Sequence, residues 1–380
     1  MVEKTKENVY VWYSTATDVT GKNIIEALGC KGGTEKPNED DVSMVICWGA
    51  KTTDDVYISN NTEVLNHPDN IRSNRNKFEA LNKMAGKVNI PRFCAAEDVK
   101  YELGSDDPNT VKLPLVGRTK YHQGGKGFWM CPTQSHVENA LENGAQYFQE
   151  MIEIKDEYRL HMFDGKILRA VKKVKRNAEE TKEAFINDEF ERQKKLADKY
   201  ENNFDSDIVT MVLKRIAARF VHNWPDMFIR SNHMGWKFVP VQEEGYNNEL
   251  NDVAVKAVEA LGLNFGAVDC CTDIEGNAYV IEVNTGPGLS GTTFNKWITA
   301  IEEKIHDALY SNKEDQNNNM YYQNTGWYAP ENFNIEVKEE KADDQDEFKN
   351  ALRTLSNMLD VAKSNEEVEM LKTIASRIFS

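Results

Sequence analysis

Short apolar runs alternate with polar, glycine-ended segments over the first fifty residues. The run Val9-Tyr10-Val11-Trp12 predicts a strand, and residues 42–48 predict a second, buried strand that ends at Gly49. Residues 23–28 predict a short helix that ends at Gly29, because glycine readily adopts the left-handed conformation that closes a helix. The order strand, helix, strand predicts a small parallel sheet.

The next hundred residues change to a pattern of hairpins. Residues 74–85 have helical periodicity and stop at Gly86, and residues 136–144 predict a second helix. The strand candidates fall into two groups. The first comprises residues 112–118, 128–130 and 147–152, and the second comprises residues 157–163 and 166–173, joined by a type I′ turn at Asp164-Gly165.

The last part of the chain contains one more strand pair among helices. Residues 266–272 and 278–284 predict two strands joined by a short polar turn. Helical periodicity is found before this strand pair, in residues 177–222 and 253–261, and after it, in residues 297–309 and 346–380. Residues 311–345 are rich in Asn, Asp, Glu and Lys, which predicts an acidic linker.

Composition narrows the class of protein. The 380 residues carry a formal net charge of -16, which opposes general nucleic acid binding and leaves open a nucleic acid acceptor at a local basic patch. No apolar run is long enough to span a membrane, and the charged residues 1–7 do not resemble a signal peptide. The six cysteines lack zinc-site spacing and are interpreted as reduced thiols. We therefore expect a soluble, cytoplasmic protein.

Three oxygen-bearing side chains fall on the strand pair near the C-terminal end of this pattern. Glu282 and Asn284 are two residues apart and share one face of a strand, and Asp269 can face them from the neighbouring strand. Such a set suits Mg²⁺, which binds a few protein oxygens together with phosphates and water. The alternative is solvated carboxylates, but both strands are otherwise apolar, and buried carboxylates need a cation.

A glycine-rich turn between two predicted strands is a second candidate. Residues 123–127, Gln-Gly-Gly-Lys-Gly, offer backbone N–H groups that suit closure over phosphates, in a hairpin and not in a strand-to-helix P-loop. Arg118 precedes the turn and would add a cation, and Lys120 competes for this role. An ordinary mobile turn is the alternative.

These motifs resemble the ATP-grasp superfamily, and within it the carboxylate–amine ligases related to the ribosomal protein S6 glutamate ligase. The resemblance runs from about Val9 to about Leu309. Its most specific part is Asp269 followed by Glu282-x-Asn284-x-x-Pro287-Gly288. Phe228-Ile229-Arg230-Ser231-Asn232 resembles a further family element, and the segment that ends at Asn76-Lys77 resembles the entry to the first ATP-grasp subdomain.

The resemblance implies an α/β (α+β) ATP-grasp fold in which two α+β subdomains enclose ATP. The implied divisions are an N-terminal parallel-sheet domain (residues 1–75) and a subdomain with the glycine-rich loop (76–152). A subdomain with the Mg²⁺ site follows (153–310) and contains a helical insertion (177–222). An acidic linker (311–345) and C-terminal helices (346–380) complete the divisions. The insertion has two interpretations, a lid or a partner surface.

The resemblance also implies roles for individual residues, and each has a structural alternative as a solvated or packing side chain. Lys77 and Arg118 would hold ATP phosphates, with the glycine-rich loop, Gln123, Gly124, Gly125 and Gly127, closing over them. Glu150 and Met151 would meet adenine, Glu157 would bond the ribose, and Lys172, like Arg159, could bind ATP or an acidic substrate. Arg230 and Asn232 would act at the acyl-phosphate, and Asp269, Glu282 and Asn284 would hold two Mg²⁺ ions, for which Mn²⁺ can substitute.

The implied reaction joins a carboxylate to an amine through an acyl-phosphate, with ATP converted to ADP and phosphate. The substrates would be small molecules or peptides, such as an amino acid. Two other functions stay open: a kinase on the same fold, which would phosphorylate a hydroxyl, and a non-catalytic nucleotide-binding scaffold. The sequence does not select the acid, the amine or the oligomeric state.

Overall fold

The computed structural model describes residues 8–38, 42–59, 62–122, 127–177, 230, 235–241 and 248–310. The chain divides into two compact units, Met1–Lys173 with Phe238–Gln316 and Val174–Lys237 with Asn317–Ser380. The predicted insertion beyond residue 177, the acidic linker and the C-terminal helices lie outside the described residues. None of the described helices is long and apolar enough to cross a bilayer.

The predicted N-terminal parallel sheet is present. It contains four strands in the order β2–β1–β3–β4, all parallel, with bounds β1 Val9–Tyr13, β2 Lys31–Gly33, β3 Met44–Trp48 and β4 Glu63–Leu65. Helix α1 (Val19–Leu28) begins where the Asp18 side chain accepts a hydrogen bond from the Gly21 N–H. It ends at Gly29, whose φ of 62° is left-handed as predicted.

The glycine-rich hairpin belongs to a second sheet, with the strand order β5–β8–β6–β7. Its strands are antiparallel: β5 Phe93–Ala95, β6 Leu115–Arg118, β7 Phe128–Cys131 and β8 Tyr147–Glu150. Helix α4 (Val99–Leu103) and helix α5 (Gln134–Glu142) accompany this sheet. The hairpin of β6 and β7 is the one that the sequence predicts.

A third sheet carries the predicted strand pair with the three oxygen-bearing residues. Its order is β11–β10–β9–β12–β13, with bounds β9 Ile154–Phe163, β10 Lys166–Lys175, β11 Trp236–Val241, β12 Phe265–Asp273 and β13 Ala278–Asn284. The turn at Asp164 and Gly165 has positive φ at both residues, as a type I′ hairpin requires. Helix α6 (Glu249–Ala260) covers part of this sheet, and helix α7 (Gly291–Tyr310) begins earlier than the sequence predicts.

The helix predicted over residues 74–85 overlaps the ends of two helices. Helix α2 (Pro68–Arg75) is separated from helix α3 (Lys77–Met84) by Asn76, whose backbone is extended. The Asn76 side chain accepts a hydrogen bond from the Glu79 N–H at 3.3 Å, so a residue that favours helix N-termini restarts the helix. This break places Lys77 in the first turn of α3.

An aromatic cluster joins helix α7 to the first and third sheets. Trp297 is fully buried and packs edge-on against Trp48 and Phe265, at centroid distances of 5.1 and 5.6 Å. Its indole N–H donates to Nδ1 of His161 at 3.1 Å. Burial, with the charges of nearby arginines, lowers the pKa of His161 to about 3, so this histidine is a neutral acceptor in the core.

We expect His161 to make the protein less stable in mild acid. The unfolded chain takes up a proton near the ordinary pKa of histidine, whereas the folded chain does not, so stability falls as the pH decreases from about 7 to about 5. The loss is about 2 kcal/mol over this interval. Urea unfolding at both pH values should show a smaller loss for His161→Asn, which keeps an acceptor near Nδ1 and cannot titrate. Equal losses would contradict the assignment.

The second unit is described at few positions. Within it, the N–H of Arg176 donates to the carbonyl of Gly235 at 2.7 Å. The guanidinium of Arg230 lies 4.8 Å from the ring centroid of Trp236, a cation–π contact. Asn232 lies outside the described residues, so the roles predicted for Arg230 and Asn232 stay predictions.

Candidate active site

Strand register brings the three predicted metal ligands together. Asp269 on β12 pairs directly with Glu282 on β13 and with Arg159 on β9. Directly paired residues project to the same side of a sheet, and Asn284 lies two residues after Glu282 on that side. Asp269, Glu282 and Asn284 therefore share one face with Arg159, as the sequence predicts for the first three.

Asp269 is engaged by an arginine in two-point contact. The Nε of Arg159 donates to Oδ1 of Asp269 at 2.6 Å, and an Nη donates to Oδ2 at 2.8 Å. The Asp269 side chain is only 8% exposed, so the carboxylate needs this compensating charge. Burial opposes the charged guanidinium, but the adjacent carboxylate outweighs it and raises the pKa of Arg159 above its ordinary value.

Asn284 connects the two carboxylates. Its amide nitrogen lies 3.2 Å from Oε1 of Glu282 and 3.4 Å from Oδ2 of Asp269. Neighbouring ligands in an octahedral Mg²⁺ shell are about 3 Å apart, since each lies about 2.1 Å from the ion. Half a turn of the Asn284 amide would place its oxygen where the nitrogen lies. The spacing and the hard oxygen donors therefore fit Mg²⁺.

Glu282 also faces a lysine from helix α3. The Nζ of Lys77 lies 3.6 Å from Oε2 of Glu282 and 3.5 Å from the carbonyl oxygen of Val283. Burial alone would raise the pKa of Glu282, but Lys77, the Asn284 amide, Arg118 and Arg159 together lower it to about 2. Glu282 is therefore ionised throughout the physiological range, as a metal ligand has to be.

A cavity adjoins this face and has a cationic lining. It is open to solvent and is lined by Lys77, Arg118, His122 and Glu282, among others. The Nε of Arg118 is buried and lacks a hydrogen-bond acceptor within the described ranges. Lys120, the competing cation, places its Nζ 5.4 Å from the ring centroid of Phe78. Of these two cations, Arg118 lines the cavity, together with Lys77.

The residues predicted to meet adenine make contacts of their own. The N–H groups of Glu150 and Met151 donate to the carbonyls of Arg92 and Pro114, at 2.8 and 3.0 Å. The Glu150 side chain accepts from the Lys112 N–H at 2.8 Å. These contacts fix the chain after β8, and the adenine role stays a prediction.

Two adjacent lysines of β10, Lys172 and Lys173, lie on opposite faces of the third sheet. Lys173 pairs with Glu157 in the register and as an ion pair, on the face of Arg159. Lys172 lies opposite Tyr158 and pairs with Asp156 at 2.8 Å. Lys172 therefore lies on the face opposite Arg159, and Lys173 lies on the face of Arg159. The sequence could not separate the two, because a shift of one residue exchanges the faces.

The glycine-rich loop is described only at its end. Gly127 has a φ of 60°, and a side chain there would collide with Thr119. Gln123, Gly124 and Gly125 lie outside the described residues, and their phosphate role stays a prediction. His122, immediately before them, is a cavity residue that the sequence analysis did not single out. A histidine preceding a glycine-rich turn is the signal that could have found it.

No protein-family model matches the chain, and a search of curated protein sequences finds no match. Among solved structures, it is similar to the ATP-grasp ligase PsnB complexed with minimal precursor, at 12% identity and a TM-score of 0.47, over 78% of this chain and 99% of that one. D-alanine–D-alanine ligase from Bacillus anthracis is similar at 12% identity and a TM-score of 0.47, over 79% of this chain and 95% of that one. A RimK domain ATP-grasp protein from Sphaerobacter thermophilus is similar at 12% identity and a TM-score of 0.45, over 79% of this chain and 98% of that one. The first and third of these are ATP-grasp proteins.

Proposed function

We propose that the protein is an ATP-dependent carboxylate–amine ligase. The observation that carries the nucleotide part is the convergence of a buried carboxylate, Asp269, a half-buried carboxylate, Glu282, and the amide of Asn284, beside a cavity lined by Lys77 and Arg118. Charged side chains are costly to remove from water, so a cluster of positive and negative side chains at one place indicates a functional site or a bound ligand. The ligase part is supported by the motif resemblance.

Asp269, Glu282 and Asn284 would hold Mg²⁺ through their side-chain oxygens. A bound Mg²⁺ neutralises charge on phosphate oxygens during phosphoryl transfer. Arg159 pairs with Asp269 and Lys77 lies near Glu282, and these two cations balance the carboxylates when no metal is bound. Binding of the metal would release both cations for contact with anionic groups of the substrates.

Lys77 and Arg118 are the side chains best placed to bind phosphates. Both line the cavity, and the buried Nε of Arg118 is a donor without an acceptor among the described residues. An arginine binds phosphate through a planar fork of donors, so the guanidinium of Arg118 suits a phosphate ligand. Such positioning and charge provide most of the catalysis in phosphoryl transfer, and no protein nucleophile is required.

Hydroxylamine trapping tests the proposal. The protein is incubated with ATP, Mg²⁺, hydroxylamine and pools of amino acids or peptides. A ligase should produce ADP, phosphate and a hydroxamate of the acid, because hydroxylamine attacks an acyl-phosphate in place of the amine. A kinase would give ADP and a phosphate ester without hydroxamate. Absence of ADP formation with every pool, together with absence of MgADP binding, would overturn the nucleotide part.

A further inference from the structure

His122 makes a side-chain contact with Arg118, one of the cations that line the cavity. Its Nε2 is hydrogen-bonded to an Nη of Arg118, and its Nδ1 lies 2.7 Å from the carbonyl oxygen of Thr119. Phe128 flanks the same guanidinium, with 5.4 Å between Cζ of Arg118 and the ring centroid. The imidazole therefore lies between a main-chain acceptor and an arginine donor.

These two partners fix the protonation of the ring. A carbonyl oxygen can only accept, so Nδ1 of His122 carries the hydrogen and donates it to Thr119. Arginine can only donate, so Nε2 must present its lone pair to Arg118. Both requirements are met only by the neutral ring with its hydrogen on Nδ1. The loop backbone thus selects the tautomer that can hold the arginine.

Arg118 has few other restraints within the part of the chain that the structure describes. No carboxylate there forms an ion pair with it, and its buried Nε has no acceptor. An arginine side chain has several rotatable bonds, and ordering it on ligand binding costs free energy. The contact from His122 supplies part of this ordering before a ligand arrives.

We propose that His122 is a positioning residue that holds the guanidinium of Arg118 in the cavity for contact with a nucleotide phosphate. This inference rests on the proposed function, because it takes the ligand of Arg118 to be a nucleotide. His122 itself makes no contact with the ligand. It acts through Arg118. By ordering the guanidinium before the nucleotide binds, it raises the affinity of the protein for the nucleotide.

The hydrogen bond between His122 and Arg118 should also depend on pH. His122 faces Arg118 and the Thr119 carbonyl from its own hairpin, Lys77 from α3 and Glu282 from β13. Burial and the positive charge of Arg118 lower the pKa of His122, with Lys77 acting in the same direction and Glu282 opposing it. Protonation removes the acceptor at Nε2 and sets two cations against each other. Nucleotide affinity should therefore fall as the pH decreases below the ordinary histidine range.

MgADP binding measured by calorimetry tests the proposal with four proteins. His122→Ala should bind roughly three- to tenfold more weakly than the wild type, which corresponds to the cost of ordering one long side chain. His122→Gln should restore most of the affinity, because its amide oxygen can accept from Arg118 near the position of Nε2. His136→Ala is the matched control, since His136 is an exposed histidine on α5, and it should bind like the wild type.

The pH profile separates positioning from a general structural role. Between about pH 7 and about pH 4.5, a range that extends well below the ordinary pKa of histidine, the wild type should lose more affinity than His122→Gln, which cannot titrate, and protonation of the nucleotide affects both equally. Wild-type affinity in both His122 variants, or parallel pH profiles with thermal stability intact, would overturn the positioning role alone. Absence of MgADP binding by the wild type would overturn the nucleotide proposal and this inference together.

Discussion

The Glu282→Gln variant is expected to form ADP at least about 100-fold more slowly than the wild type at equal Mg²⁺ concentration. The change removes a charge that lies 3.6 Å from Lys77 and replaces one of two carboxylates in the set that fits Mg²⁺. Loss of a preorganised electrostatic contact in an active site typically costs about 100- to 1,000-fold in rate. The measurement is coupled detection of ADP across a Mg²⁺ titration.

Glu275→Gln provides the matched control for this substitution. Glu275 is an exposed glutamate in the turn between β12 and β13, so the same chemical change is made close to the site in sequence but outside it. It should leave turnover unchanged. If Glu282→Gln retained wild-type turnover at saturating Mg²⁺, the metal assignment would be wrong.

The Asp269→Asn variant should lose about 3 kcal/mol of unfolding free energy in the absence of metal. The substitution keeps the shape of the side chain but leaves the guanidinium of Arg159 without its two-point carboxylate partner. Removing one member of a buried ion pair typically costs about 3–5 kcal/mol, because the other charge stays buried and uncompensated. Equilibrium urea unfolding in the presence of a chelator measures this loss.

A second ion pair that involves strand β9 provides a comparison for the loss in Asp269→Asn. Asp156 pairs with Lys172 at 2.8 Å, and their side chains are 28% and 33% exposed. Asp156 is more open to solvent than Asp269, and pairs screened by solvent contribute at most about 1 kcal/mol, so Asp156→Asn should have a smaller effect. Equal losses in the two variants would show that burial does not decide the strength of the pair at Asp269.

The local elements of the fold follow from the sequence where hydrophobic period and turn chemistry agree. The strand at Val9, the helix that ends at Gly29 and the turn at Asp164-Gly165 are found as predicted, because each depends on residues close together in the chain. The helix over residues 74–85 was predicted as one piece. Asn76 interrupts it, since periodicity alone does not show where a side chain caps a new helix.

The three candidate metal ligands could be predicted together for a similar reason. Two strands joined by a short turn must pair, so the spacing of Asp269 and Glu282 already limits how they can face each other. Arg159 could be identified as a cation near the cleft, but its partner could not. The pairing with Asp269 depends on β9 lying beside β12, a contact between residues 110 apart in the chain.

Sequence by itself thus determined the mixed α/β class, the hairpins and the three oxygen donors on one strand pair. Tertiary structure decided which charges meet: Arg159 with Asp269, Lys77 with Glu282, Lys173 with Glu157, and His122 with Arg118. The physical reason is the distance along the chain over which each effect acts. Periodicity and capping act over a few residues, whereas the strength and partner of a buried charge depend on strand order and on burial, which arise only when distant segments pack.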